Sequence, residues 1–182
     1  ILASDEYEWT EPKNLGPKVN SASADGGAWV SADGLTLLFA STRPGGLGDY
    51  DLWQCTRSSV EEDWSEAVTL GVPINSNWYE GRAAMSADGC TLVITSTRPG
   101  GQGAMDLWMA TRKAKDDPWS NPVNLGAAVN SEKNDTAPIL SDNGLQLFFQ
   151  SNRDGKYLCW TSQRASANEP WSKPELFCDH QG

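Results

Sequence analysis

A single histidine, His180, stands in this sequence, and it falls in the tail beyond the last regular pattern. That scarcity argues against histidine-based nucleophilic or metal chemistry. Basic residues are also in short supply, because 14 Lys and Arg against 24 Asp and Glu leave a formal net charge of −10. Phosphate backbones are held by clustered Lys and Arg, so no nucleic-acid partner is expected. An acidic surface of this kind serves solubility instead. No apolar run approaches the roughly 20 residues of a membrane span, so no membrane insertion is expected. The opening Ile1-Leu2-Ala3-Ser4-Asp5 lacks a charged stretch followed by an apolar one. No secretory signal is visible in it, and a first residue other than Met points to a processed or trimmed start. Four cysteines, Cys55, Cys90, Cys159 and Cys178, contain no C-x-x-C pair, which argues against a zinc site.

What the chain has in quantity is Trp, Gly and Pro, at 9, 17 and 10 residues, in a composition that is globular rather than disordered. Gly and Pro break long helices, and Trp suits half-buried strands. Four tryptophans, Trp9, Trp64, Trp119 and Trp171, open similar phrases (WTEPKNLG, WSEAVTLG, WSNPVNLG and WSKPELF) at spacings of 55, 55 and 52 residues. Other positions recur in register. Asn20-Ser21, Asn75-Ser76 and Asn130-Ser131 follow each Trp, and Ser31-Ala32-Asp33-Gly34 is matched by Ser86–Gly89 and Ser141–Gly144. Ser41-Thr42-Arg43 is matched by Ser96–Arg98 and Ser151–Arg153, and Asp51-Leu52-Trp53 by Asp106–Trp108.

Each repeat divides into four β segments. The first is expected at Ala28–Ser31, ending at an Asp-Gly or Asn-Gly hairpin signal. The second is Thr36–Ser41, with Leu37 and Phe39 alternating, and the third is Asp51–Thr56 around Trp53. The fourth is Pro12–Leu15 or its equivalents, closed by a Gly at 16, 71 and 126. Four antiparallel strands per period of about 50 residues is the signature of a propeller blade. The fold is therefore expected to be all-β, with three blades present. Residues 1–23 would supply the fourth strand of a preceding blade and a connection. Residues 24–78, 79–133 and 134–178 would form the blades, and 179–182 the tail. In the third repeat the Gly-rich connection Arg43–Asp51 shrinks by three residues to Arg153–Leu158, and Leu158 takes the register of the lost Asp. Asp51 and Asp106 are thus expected to accept hydrogen bonds from amides of their own loops.

The phrases S-x-D-G-x-x-L-x-F, S-x-R-P-G-G-x-G-x-x-D-L-W and W-S-x-P-x-x-L-G-x-x-V-N-S resemble the WD40-like (TolB-like) propeller repeat of bacterial envelope proteins, including those with OmpA-type domains. They run from Trp9 to Phe177. The resemblance implies a six-bladed propeller acting as a binding platform in the periplasm or outside the cell. Three blades are half of such a ring. A closed ring needs at least four, and an open arc would expose apolar end faces. The missing half would come from further blades of a longer chain or from a homodimer of this one.

Arg43, Arg98 and Arg153 end the second strands, and Asp25, Glu80 and Asp135 lie just before the first. A turn at Asp33-Gly34 sets residue 25 opposite residue 43, so acid and base would be cross-strand partners. The structural reading is an ion pair repeated in every blade, and the functional one is a circle of arginines holding an anionic ligand at the channel mouth. Better ligand candidates are residues that differ between blades, namely Trp78, Tyr79, Arg82, Lys133 and Asn134. The aromatic pair Trp78-Tyr79 would stack on a sugar or peptide, or pack on its own blade. The Gly-rich loops and the connections 16–26, 71–81 and 126–136 should share one ring face. Asp49, Asp51 and Asp106 are the candidates for calcium, with no other cofactor expected. A disulfide between Cys159 and Cys178, or two separate thiols, fits the last blade. The function these features support is a non-catalytic scaffold for a protein or cell-envelope glycan. A glycan-processing enzyme and a purely structural module are the alternatives.

Overall fold

The computed structural model describes residues 11–178, so Trp9 and His180 lie outside the described residues. Within them the chain forms three four-stranded antiparallel sheets and no helix. The first holds β1 (Asp25–Val30), β2 (Thr36–Ser41), β3 (Asp51–Thr56) and β4 (Val68–Thr69). The second holds β5 (Glu80–Met85), β6 (Thr91–Ser96), β7 (Asp106–Thr111) and β8 (Val123–Asn124). The third holds β9 (Asp135–Leu140), β10 (Gln146–Ser151), β11 (Leu158–Gln163) and β12 (Glu175–Cys178). Strand order follows chain order in each sheet, so every blade is a simple meander. The first strands β1, β5 and β9 pack side by side, which makes them the inner wall of the arc.

Each first hairpin turns on a side-chain device. Asp33 Oδ1 accepts the Leu35 amide at 2.9 Å, Gly34 N donates to Ser31 O at 2.8 Å, and Gly34 takes φ +71°. A left-handed φ carries no Cβ penalty at Gly, which is why the turn needs one. Alternation then gives every sheet two faces, and those between successive blades are buried. Leu38, Ala40 and Leu52 of the first blade meet Met85, Leu92 and Ile94 of the second. Val93 and Leu107 of the second meet Leu147, Phe149 and Trp171 of the third. Blades are thus glued face to face by aliphatic residues of successive repeats. A further tie holds each connection to the sheet it leaves. The Asn75 side chain accepts the Leu52 amide at 2.8 Å and donates to the Leu52 carbonyl at 3.0 Å, and Asn130 does the same to Leu107 at 2.9 and 3.0 Å.

Three sequence expectations need correction. The first strand begins at Asp25 rather than Ala28 and ends at Val30, because a bulge between Gly26 and Trp29 lets the ladder continue past the break in alternation. The hairpin already pairs one residue tighter than that opposition needs, and the bulge takes up one more, so Asp25 stands opposite Ser41 and not Arg43. Residues 12–15 form no strand, and their counterparts are two-residue strands at Val68–Thr69 and Val123–Asn124 and a four-residue one at Glu175–Cys178. A strand needs a partner. Val68–Thr69 pairs with β3 of its own blade, whereas residues 12–15 have no preceding third strand among the described residues. The shortened third loop leaves Ser151 paired with Leu158, as Ser41 pairs with Asp51 and Ser96 with Asp106.

Candidate functional site

The carboxylates and arginines of the repeat meet in every blade, through side-chain reach rather than direct opposition. Arg43 Nη2 donates to Asp25 Oδ1 at 2.7 Å, Arg98 Nη2 to Glu80 Oε1 at 3.1 Å, and Arg153 Nη2 to Asp135 Oδ1 at 2.6 Å. The same Nη2 atoms also donate to the carbonyls of Val19, Ile74 and Val129, and each Nε donates to the Ser two residues earlier. Each carboxylate in turn accepts the amide and hydroxyl of Ser21, Ser76 or Ser131. The guanidinium faces lie over aromatic rings, Arg43 at 4.8 Å from the Phe39 centroid and Arg153 at 4.8 Å from Trp160. These donors are engaged inside the blade, an arrangement that ties the connection, the first hairpin and the third strand together.

Burial alone would push the Asp25 carboxyl up, but hydrogen bonds from Arg43, Ser41 and Ser21 outweigh it and hold it down at about 2. A carboxylate depressed below its unfolded value of about 3.9 stabilises the fold above that pH and loses the contribution as pH falls toward 2. The wild-type chain is therefore expected to lose about 2 kcal/mol between pH 4 and pH 2 that an Asp25→Asn variant does not lose. Urea melts across that window check it, and parallel curves for the two proteins would refute it.

A second arginine set escaped the sequence reading. Arg57, Arg112 and Arg164 stack on Trp64, Trp119 and Trp171 at 4.3, 4.2 and 4.6 Å. Each Nε donates to the carbonyl of a hairpin Gly, at Gly34, Gly89 and Gly144. The phrase-opening tryptophan is thus the lid of a bracket that closes each blade on its own first turn. Its signal was present in the Thr56-Arg57 and Thr111-Arg112 dipeptides, set seven residues before their tryptophans.

The Gly-rich loops and the blade connections do meet on one face. A Cβ at Gly48 would overlap the Trp78 and Ser76 carbonyl oxygens, and one at Gly103 would overlap that of Lys133. Asp51 Oδ2 accepts the amides of Leu47 and Gly48 at 2.8 and 3.1 Å, and Asp106 accepts those of Gln102 and Gly103. Burial pushes the Asp106 carboxyl up, against the lowering effect of those amides. Asp49 is exposed, and no group of three or more His, Cys, Asp or Glu suited to a metal ion occurs among the described residues. Trp78 and Tyr79 part company here. Trp78 stays 51% exposed on the loop, while the Tyr79 ring packs on Tyr50, centroids 5.5 Å apart, and its hydroxyl lies over Gly81. Burial of that ring pushes the Tyr79 hydroxyl pKa up. Lys133 is exposed, and Asn134 donates to the Tyr157 hydroxyl at 3.0 Å.

The inner wall holds the unusual backbone. All three first strands bulge at one position of the repeat, occupied by Gly27, Arg82 and Ala137, with φ of +63°, +41° and +53°. Only the first blade uses the residue that this conformation favours, so Arg82 and Ala137 hold theirs under strain, a cost of order 1–3 kcal/mol each. The Ala137 amide finds Thr95 Oγ1 at 3.3 Å. Arg82 is exposed, belongs to neither arginine set and makes no salt bridge with a described carboxylate. Its stem crosses Gly27, where any Cβ would press on Arg82 Cγ. There it borders both a small cleft with Tyr50 and Tyr79 and a larger cavity of about 460 Å³ that Trp29, Ala137, Ile139 and Phe148 also line.

Three meander sheets stacked face to face, with their first strands gathered inside, are blades of a β-propeller. Comparison with solved structures agrees. TolB from Acinetobacter baumannii matches with a TM-score of 0.52 at 14% identity, over 81% of this chain and 31% of that one. A putative TolB from Agrobacterium tumefaciens matches with 0.50 at 15%, over 82% and 44%. A chain of a nidogen/laminin complex matches with 0.53 at 10%, over 88% and 50%. The chain spans half or less of the length of these proteins, and at such identities the likeness is one of fold: a TolB-like propeller fold. No protein-family model matches the sequence, and no curated protein does.

Proposed function

We propose that these blades belong to a non-catalytic recognition scaffold working outside the cytoplasm. Its ligand is a protein or cell-envelope glycan that presents an anionic group where the inner wall meets the loop face. One observation carries this reading: Arg82 stands exposed in a strained bulge, while the other six arginines are built into the blades. Strain kept at a position where Gly would relieve it points to a side chain retained for what it does. Tyr50, Tyr79 and Trp29 supply flat surface beside the cation, and exposed Trp78 supplies more at the rim. The carboxylates of the first hairpins are bound by arginine, which favours recognition over glycan processing. The remaining blades of the ring come from a longer chain or from a second copy.

Arg82→Gly separates the two roles. It should raise stability by up to about 1 kcal/mol through relief of the left-handed backbone. It should also weaken binding at least tenfold to whichever carboxylated glycans or peptides the wild-type chain retains on an array. Loss of stability together with unchanged binding would remove the basis of the proposal.

A further inference from the structure

Among the described residues the third blade shows no counterpart of the tie that fastens the other two. In the first and second blades the Asn75 and Asn130 side chains clamp the backbone of Leu52 and Leu107, and each also bonds the fourth strand, at Thr69 Oγ1 and Asn124 Oδ1. These asparagines stand eleven residues after Trp64 and Trp119. Eleven residues after Trp171 the sequence has Gly182, which has no side chain to clamp with, and the fourth-strand partner has become Leu176. Two further replacements fall at the same place. The clamped leucine becomes Cys159, and the glycine seven residues after the Trp, Gly71 or Gly126, becomes Cys178.

The fold sets these two cysteines against each other. Cys159 of β11 and Cys178 of β12 are direct Cα partners in the antiparallel ladder. Both are partly buried, at intermediate exposure. Directly opposed positions bring Cβ atoms to about 4.5–5.5 Å, close to the 3.5–4.5 Å that a disulfide requires. The Cys159 thiol is pushed up by burial and then by the hydrogen bond with Cys178. Cys55 is fully buried in another blade. Both replacements falling in one blade, on facing strands, at the place the clamp occupies in the other blades, are hard to assign to packing.

We propose that Cys159 and Cys178 form a disulfide that replaces the asparagine clamp and fastens the last strand of the third blade. The oxidant is a disulfide, such as oxidised glutathione or a thiol-oxidase dithiol pair. One cysteine thiolate attacks it, giving a mixed disulfide and releasing one oxidant thiol. The second thiolate then attacks the protein sulfur of that bond and expels the other. Two thiols lose two electrons and two protons, and the oxidant gains them as two thiols.

The test is made on the full chain, incubated with oxidised glutathione and digested without reduction. The expected product is two hydrogens lighter than the reduced chain, with one cross-linked peptide joining Cys159 to Cys178, while Cys55 and Cys90 still react with a thiol reagent. The closed loop of roughly 20 residues should raise the melting temperature by about 6–12 °C over the reduced protein. A Cys178→Ser variant should show no such difference between oxidising and reducing conditions. A link through Cys55 or Cys90, an intermolecular bond, or four reactive thiols after oxidation would overturn the assignment.

Discussion

Glu80→Ala is expected to lower the stability of the chain by about 3–5 kcal/mol, because it removes one member of a buried ion pair and strands the other. The Glu80 side chain is 0% exposed and the Arg98 side chain 11%. The carboxylate also accepts from Ser76 N, Ser76 Oγ and Ser96 Oγ, so its loss leaves three further donors without their partner. For a chain of this size the melting temperature should fall by roughly 6–20 °C. The double replacement Glu80→Leu with Arg98→Met should recover much of that loss, since an apolar pair carries no desolvation cost. The same truncation at Asp25, whose side chain is 14% exposed, should cost less. Denaturant melts of the three variants decide the matter. A loss below about 1 kcal/mol for Glu80→Ala would mean that packing alone holds the hairpin.

The second large effect is expected at Phe149. Its side chain is 2% exposed and sits in the cluster formed by Val93 and Leu107 of the second blade with Leu147 and Trp171 of the third. Phe149→Ala should cost about 3–5 kcal/mol through lost transfer energy and the cavity left behind. It also removes the ring beneath the Arg153 guanidinium, at 5.2 Å. Because the cluster bridges two blades, hydrogen exchange should show protection falling in β6 and β10 together. Loss confined to β10 would mean that the blades pack as independent layers.

The parts of this fold that sequence made legible were those written into residue type. The Asp-Gly turns, the alternation of Leu37 with Phe39 and the deletion before Leu158 placed the second and third strands where the structure has them. Acid and arginine do meet, yet not in direct opposition, because the turn sets the register one residue tighter and a bulge adds one more without any sign in the pattern. That bulge was hidden for a physical reason. Gly27 announces a left-handed residue, but Arg82 and Ala137 adopt the same backbone without announcing it. Arg82 was singled out only because it differs between blades. The Arg57–Trp64 bracket was within reach, but in the sequence the tryptophan marks the opening of a repeat phrase and not a surface for a cation. Likewise the recurring Asn75 and Asn130 carry no sign of their task, since their partners lie 23 residues earlier, on the third strand of the same blade.

Those two kinds of fastening divide the labour of holding the arc together. The arginine–tryptophan bracket begins and ends in one sheet, so it makes each blade a closed module that duplication can copy whole. The asparagine belongs to the connection leading into one sheet but grips the third strand of the sheet before it. Its neighbours Ile74 and Ser76 bond Arg98 and Glu80 of the following sheet, so opening a blade boundary frees backbone on both sides of it. A linear array of independent repeats frays from its ends one element at a time. In this arc each seam carries a bolt driven through from the neighbouring part, so fraying at a seam is coupled to the strands on either side.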